Sequence, residues 1–389
     1  MLDWLIVGGG IHGVHIAHSL LRRNGVSRDR LCVVDPHADP LARWNHCTAN
    51  VGMRYLRSPS VHHLGLDSEE LTRFGRTPHG RALERYSPPY DRPAYDFFQA
   101  HARQVVTELR LPDCWVQGTA DGLRRIPGGW GVQCACGEIQ ARRVVLALGR
   151  TALRMPDWAA LLQARGAPVD HIFAPDFRRA DLPDWHHAVV VGGGISAGQT
   201  ALALAKRHPG AVTLLLRRPI DEHQFDSDPC WNGPKCLRDF HACRDYGQRR
   251  RLIAAARHPG SMPKDILIKV RHAVREGTLH LCEAEVTQAE IGVGGQISLS
   301  LSNGDWLNTD RLLLATGFRR ERPGGAWIDR AIAEFGLSCA PCGYPIVDAL
   351  LNWAPGLHVS GPLAELEIGA TSPNIRGARA AAERLGQIQ

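Results

Sequence analysis

Two short glycine runs hold the residues whose types and spacing could do chemistry. Gly8-x-Gly10-x-x-Gly13 lies in "LIVGGGIHGVHIA", and Gly192-x-Gly194-x-x-Ala197 lies in "VVVGGGISAGQTA". This spacing presents the backbone N–H groups of a tight turn at a helix N-terminus. There the helix dipole and the missing side chains favour a pyrophosphate. After the first run the next apolar stretch, "LCVVD", ends in Asp35, 22 positions beyond Gly13. A carboxylate at that place can accept hydrogen bonds from ribose hydroxyls. After the second run "VTLLL" leads instead into Arg217 and Arg218. Guanidinium groups suit a 2′-phosphate, which an acid would repel, so the second site favours NADP over NAD. Two surface arginines would read the same way, but both stand where the adenosine end belongs.

Each run needs a strand to deliver it and a helix to follow it. "WLIV" reads as a buried strand, and Ile11, Val14, Ala17, Leu20 and Leu21 keep helical spacing until Asn24-Gly25. "AVVV", followed by Ile195, Ala201 and Leu204, repeats the plan. Further on, "CGEIQARRVVLALG" (136–149) parallels "NGDWLNTDRLLLATG" (303–317), each a Gly-acid turn and then an apolar strand stopping at a small residue and glycine. Antiparallel strands are expected before them, over 114–135 and 279–302. A whole unit is repeated, which chance produces far less readily than a short motif. The expected fold is α/β, with two Rossmann-like dinucleotide-binding domains that each carry an inserted antiparallel β-hairpin or meander.

Bulk properties narrow the class. A chain of 389 residues with 44% apolar content can bury two domain cores. The net charge of +7 comes from scattered arginines with only four lysines, and no dense basic helix appears, which argues against nucleic acid. No apolar run approaches the length of a membrane span, and the first strand leaves no room for a signal peptide, so a cytoplasmic protein is expected. Eleven cysteines then read as reduced thiols. Cys134 and Cys136 are expected on one face of a strand, and Cys339 and Cys342 in a turn. No second pair completes a metal site.

With these residues in place, the chain resembles the flavoproteins that hold FAD in one Rossmann domain and NAD(P)H in another. The resemblance implies an FAD domain over 1–155, an NADP domain over 185–311, and a return to the FAD domain over 312–389. It places Gly8, Gly10, Ile11, His12, Gly13, Asp35, Pro36, Gly149 and Gly361 at FAD, and Gly192, Gly194, Ile195, Ser196, Ala197, Arg217 and Arg218 at NADP(H). Ala315-Thr316-Gly317 resembles the segment that re-enters the FAD domain. Ser372-Pro373 reads as an N-cap and first-turn proline for a helix over 374–385, whose start, Asn374 and Ile375, is implied at the flavin pyrimidine. His12 stands either beside the flavin or facing solvent.

Within that class the order of Trp44 and "MRYLRSP" (53–59) is similar to the NADPH-dependent monooxygenases acting on ornithine or lysine. Trp44, Met53, Arg54 and Ser58 are then implied near the isoalloxazine, and Arg57 as a clamp for a substrate carboxylate. Core packing for Trp44 and Met53, and an exposed ion pair for Arg57, stay open. The cysteine pairs of disulfide reductases are missing from both glycine-turn regions. The implied reaction passes hydride from NADPH to FAD, captures O2 as a C4a-peroxyflavin and oxygenates a small amine or sulfur nucleophile, with no side chain acting as nucleophile. The alternative is a flavin reductase or oxidase passing electrons to a carrier or small acceptor; a non-catalytic nucleotide sensor is the third reading. Residues 221–263 exceed what the second unit requires, and read as a lid or substrate wall or as an interface between copies of the chain.

Overall fold

The structure, a computed structural model describing residues 1–388, contains both repeats as separate parallel sheets. The first unit runs β1 (Leu2–Val7), α1 (Ile11–Arg22), β2 (Leu31–Asp35), α2 (Ala42–Val51), α3 (Tyr95–Leu109), β3 (Trp115–Gln117), β4 (Ala120–Ile126), β5 (Gly129–Cys134) and β6 (Gly137–Leu146). Its strands lie in the order β6-β1-β2-β3, all parallel. Val7 sits between Val34 and Leu146, so the glycine turn begins where all three strands end. Strands β4, β5 and the first half of β6 form an antiparallel meander, and the second half of β6 enters the parallel sheet.

The second unit runs β7 (Val169–His171), β8 (Ala188–Val191), α4 (Ile195–Ala205), β9 (Val212–Leu216), α5 (Pro234–Ala242), α6 (Tyr246–Ala256), α7 (Lys264–Arg275), β10 (His280–Glu283), β11 (Val286–Ile291), β12 (Ile297–Leu301), β13 (Trp306–Thr309) and β14 (Arg311–Leu314). Its parallel order is β10-β9-β8-β14-β7, in which β14-β8-β9-β10 repeats β6-β1-β2-β3. The copy extends to single atoms. Gly8 N–H donates to Val34 O at 2.8 Å, and Gly192 N–H to Leu215 O at 3.0 Å. Both glycines have positive φ, +109° and +147°, and a Cβ on either would stand 2.6 Å from an alanine carbonyl, that of Ala147 or Ala315. Any other residue would force strand and turn apart.

The remainder returns to the first unit through α8 (Gly325–Phe335), β15 (Asn352–Ala354), β16 (Leu357–Val359) and α9 (Ile375–Leu385). β16 joins β6 in parallel, with Leu357 beside Val144. Ala378, Ala382 and Leu385 of α9 share one core with Val14, Ala17 and Leu20 of α1. Small alanines let the two helices approach closely, so the start of α9 is fixed relative to the first glycine turn.

Several expectations need correction. β3 and β10 are parallel sheet strands, and the antiparallel meanders begin only after them. β7 and β14 both belong to the second sheet, so that unit starts before residue 185 and runs past 311. Cys136 lies exposed in the turn after β5 instead of sharing a strand face with buried Cys134, because the hairpin reverses at Gly137, whose φ is +109°. Ser372 is no N-cap. It is fully buried and donates its hydroxyl proton to Gly361 O at 2.6 Å, leaving Asn374 as the cap residue of α9. Finally, the thiols are not all free: Cys230 and Cys236 form a disulfide in the long segment after β9. No helix among the described residues is long and apolar enough to cross a membrane.

Candidate functional site

The first glycine turn is preformed. Gly9 N–H donates to Asp35 Oδ2 at 2.7 Å, while Asp35 Oδ1 accepts from His37 N–H at 2.9 Å and pairs with the His37 ring at 2.8 Å. The carboxylate therefore ties the turn to the end of β2, with Pro36 O held by Gln117 Nε2 at 3.2 Å. Gly13 seals the turn from below, since a Cβ there would lie 1.8 Å from Gly8 O. Gly10 differs. Its φ is −75°, and a Cβ there would meet nothing within 4 Å. The space in front of Gly10, at the N-terminus of α1, is a cradle of the kind a pyrophosphate fills.

His12 closes one side of that cradle. It is only 9% exposed, which excludes the solvent-facing reading. Its Nδ1 and Ser360 Oγ lie 2.8 Å apart in a hydrogen bond, whereas Nε2 is buried with no partner. Burial pushes its pKa down to about 4, so the ring is neutral at physiological pH. The ring also borders Gly361, whose φ of +65° turns the chain from β16 toward α9. Gly149, at the end of β6, likewise has open space where a side chain would stand. An orphaned buried nitrogen, an open cradle and a helix start converge here. These residues fit a dinucleotide.

The second turn has the same form with opposite electrostatics. Ala197 is fully buried under the turn, Ile195 and Ser196 are half-buried, and β9 ends at Leu216 before exposed Arg217 and Arg218. Arg218 Nη2 donates to Pro259 O at 2.9 Å. The loop at Gly260 crosses this turn closely: a Cβ on Gly194 would lie 3.3 Å from Gly260 Cα. Where the two chain connections meet, Arg154 N–H donates to Gly317 O at 2.9 Å and Arg319 N–H to Ala152 O at 2.8 Å. Thr316 Oγ1 bonds Arg154 O, and Ala315 is buried. The Ala-Thr-Gly segment is thus the crossing between units.

The other proposed flavin neighbours are only partly gathered. Trp44 stacks on Tyr95 and packs tilted against Phe98, with ring centroids 5.8 and 5.1 Å away, as core packing. Met53 packs against the cores of both units. Arg54 points outward to Glu84 at 3.2 Å with its side chain largely exposed, and Ser58 is half-buried. Arg57 is neither an exposed ion pair nor a free clamp. Its Nε donates to Gln224 O at 3.0 Å, and its Nη2 to His223 O at 2.6 Å, Phe225 O at 2.8 Å and Ser261 Oγ at 2.9 Å. Burial lowers its basicity, with Asp226 opposing. A guanidinium serving those acceptors holds the insert to the first unit and is not set to receive a substrate carboxylate.

Residues 221–263 are therefore docked against the first unit. Asn374 Nδ2 donates to Asp226 Oδ1 at 3.3 Å, joining the insert to the start of α9, and Trp231 lies against Gly369. The His223 and His258 rings stack at 3.6 Å, and His258 Nε2 pairs with Asp228 at 2.8 Å. Sequence reasoning missed this docking, because its bonds join residues more than a hundred positions apart. Helix α5 was missed as well, although Gly233-Pro234 marks its start.

Comparison with known proteins follows this geometry. Residues 5–151 match the family model described as FAD-NAD(P)-binding. A search of curated proteins by sequence found no match. In structure the chain is similar to the reduced form of ornithine hydroxylase from Pseudomonas aeruginosa, with 17% identity, a TM-score of 0.75, and 99% of this chain and 98% of that one covered. It is similar to the FAD-bound cadaverine monooxygenase of desferrioxamine biosynthesis from Erwinia amylovora, with 14% identity, a TM-score of 0.74, and 98% and 93% covered. A bacillithiol disulfide reductase from Staphylococcus aureus shares the fold at a TM-score of 0.59, with 16% identity, and 99% and 97% covered. The fold is that of FAD- and NAD(P)H-binding oxidoreductases, and its resemblance to the N-hydroxylating flavin monooxygenases runs from end to end.

Proposed function

We propose that this chain is an NADPH- and FAD-dependent monooxygenase acting on a small nucleophilic substrate, an amine or a sulfur compound. The observation that carries the reading is the pairing of an open, His12-bordered cradle at the first turn with a second copy of the turn whose next strand is followed by arginines. Bound FAD would supply hydride acceptance from NADPH and reaction with dioxygen.

The chain's own residues position and shield. Asp35 offers its carboxylate beside the first turn for a ribose, and Gly10 leaves room for phosphate oxygens. His12, neutral and buried, can donate or accept one hydrogen bond at Nε2 without bringing charge. The start of α9 adds backbone N–H groups and the positive end of a helix dipole, which favours negative charge on a ring held there. The insert, fastened by Arg57 and Asn374, keeps water from the cleft. End-to-end fold likeness to enzymes that hydroxylate amines supports oxygenation over electron transfer.

The test supplies 18O2 and NADPH with a panel of amines, amino acids and thiols. One labelled oxygen per product molecule, matched to NADPH consumed, is expected for at least one member. NADPH consumption that yields only hydrogen peroxide or a reduced acceptor, with no labelled product, would replace this reading by a reductase or oxidase.

A further inference from the structure

Three arginines bind a single buried carboxylate, and two more stand near them. Glu365 is fully buried in the short helix that follows the Gly361–Ala364 turn. Arg257 Nη2 reaches its Oε2 at 2.6 Å, Arg150 Nη2 reaches the same oxygen at 3.3 Å, and Arg250 Nη1 bonds Oε1. These arginines come from three places: Arg150 from the end of β6, Arg250 from α6, and Arg257 from the loop after α6. Arg154 and Arg320 sit on the two crossing connections, exposed and with no ion pair among the described residues.

The arrangement exceeds what fastening the insert requires. One arginine would hold a buried carboxylate, and each further cation adds repulsion that the same single charge must offset. The Nε atoms of Arg150 and Arg250 are buried without a partner, so their donors are not used up. Burial, and then Arg257, Arg150 and Arg154, depress the basicity of Arg320, the mark of positive charge in excess. On Glu365, burial raises the carboxyl pKa, but Arg257, Arg250 and Arg150 together hold it below the usual range, so it stays ionised. Even with that charge present, three guanidinium groups meet one carboxylate, and Arg154 and Arg320 add positive charge nearby. Guanidinium is the group suited to forked recognition of carboxylate or phosphate. The two dinucleotide phosphate sites are already provided at the glycine turns.

We infer that Arg150, Arg154, Arg250, Arg257 and Arg320 form the anion-binding subsite of the substrate pocket, taking a carboxylate or phosphate group of the substrate. The inference rests on the proposed oxygenase reading for what the anion belongs to, but its test does not depend on turnover.

The FAD-loaded protein is titrated with succinate and, separately, with inorganic phosphate at constant ionic strength. Binding is followed by the flavin absorbance spectrum and the thermal midpoint. Saturable binding of at least one of these anions is expected, weakened tenfold or more in the Arg154→Gln/Arg320→Gln double variant, whose side chains carry no ion pair needed for folding. Glu365→Gln, where it folds, should bind the anion more tightly. No saturable binding, or equal affinity in wild type and double variant, overturns the subsite. If the double variant instead loses NADPH affinity tenfold while anion binding is unchanged, the arginines serve a coenzyme phosphate and the substrate assignment is wrong. Ornithine against putrescine, and lysine against cadaverine, then compare substrates with and without a carboxylate. Failure of every amine with anion binding intact would count against the oxygenase reading alone.

Discussion

Replacing Gly10 by alanine separates the binding role of the first turn from its folding role. A Cβ at Gly10 would find nothing within 4 Å, and φ at −75° suits any residue, so the protein without cofactor should accommodate the methyl. The expected cost is that of alanine in place of glycine at a helix N-cap, about 0.5–1 kcal/mol. That corresponds to a fall of about 2–4 °C in Tm for a unit of this size. The FAD-bound protein should suffer more, because the methyl would occupy the space through which phosphate oxygens approach the backbone. Overpacking a tight contact costs about 1–3 kcal/mol, which is about a 5- to 150-fold loss of FAD affinity. Gly13→Ala is the contrast. Its Cβ would lie 1.8 Å from the carbonyl of Gly8, backbone against backbone, which no side-chain motion relieves, so that variant should fail to fold. FAD affinity is read by flavin fluorescence quenching and stability by circular dichroism of the cofactor-free protein. Wild-type FAD affinity in Gly10→Ala would refute the assignment of the cradle.

Three further outcomes follow from the same geometry. Arg217→Gln/Arg218→Gln should weaken NADPH and leave NADH nearly unchanged, since charge-assisted contacts to phosphate are worth about 1.5–3 kcal/mol each; equal losses in fluorescence titrations with both coenzymes would show that the arginines do not read the 2′-phosphate. Arg57→Leu removes the donor that serves His223, Gln224 and Phe225 carbonyls, so hydrogen exchange at residues 221–227 and 258–263 should accelerate while the sheets stay protected, and unchanged exchange there would mean that the insert is held by other contacts. Burial lowers His12, His171 and His358 to about 4, against an ordinary value near 6.5. The unfolded chain therefore takes up protons first as pH falls. Stability is whole above about pH 6.5 and is lost from there down toward pH 4, by about 3 kcal/mol per histidine at most; a Tm that stays flat between pH 6.5 and 4.5 would contradict that burial.

What could be read from the sequence is what neighbouring residues encode. The strand, glycine turn and helix of each unit depend on apolar periodicity and on glycines within one short stretch, and both units formed where expected. Asp35, which ends β2, and Arg217, which follows the last residue of β9, could be placed for the same reason. Strand β7 escaped because three residues at a sheet edge carry no period, and its pairing with β14 joins positions about 140 apart. Ser372 looked like a cap because Pro373 follows it, but the hydroxyl was drawn to Gly361 O by packing that only the folded chain supplies. The Glu365 cluster was equally hidden. Its arginines look like a solvated surface until the insert folds back over the cleft.

The repeat also separates scaffold from function. Where the two units agree, in strand order, in the bond from the first glycine to the neighbouring strand, and in the close approach of that glycine to an alanine carbonyl, the residues answer to the fold. Where they differ, a shared framework cannot be the cause. Asp35 answers to Leu216, with Arg217 one position further on, so the acid that ends β2 has no copy at the end of β9 and arginines follow there instead. His12 answers to Ser196, so the first turn carries a buried ring with an unused nitrogen where the second carries a half-buried hydroxyl. The insert after β9 answers to the run between β2 and α3, and only the insert carries Arg250 and Arg257 to Glu365. Each asymmetry is therefore a place where the proposed reaction, joining two cofactors and one substrate, would set the two units apart.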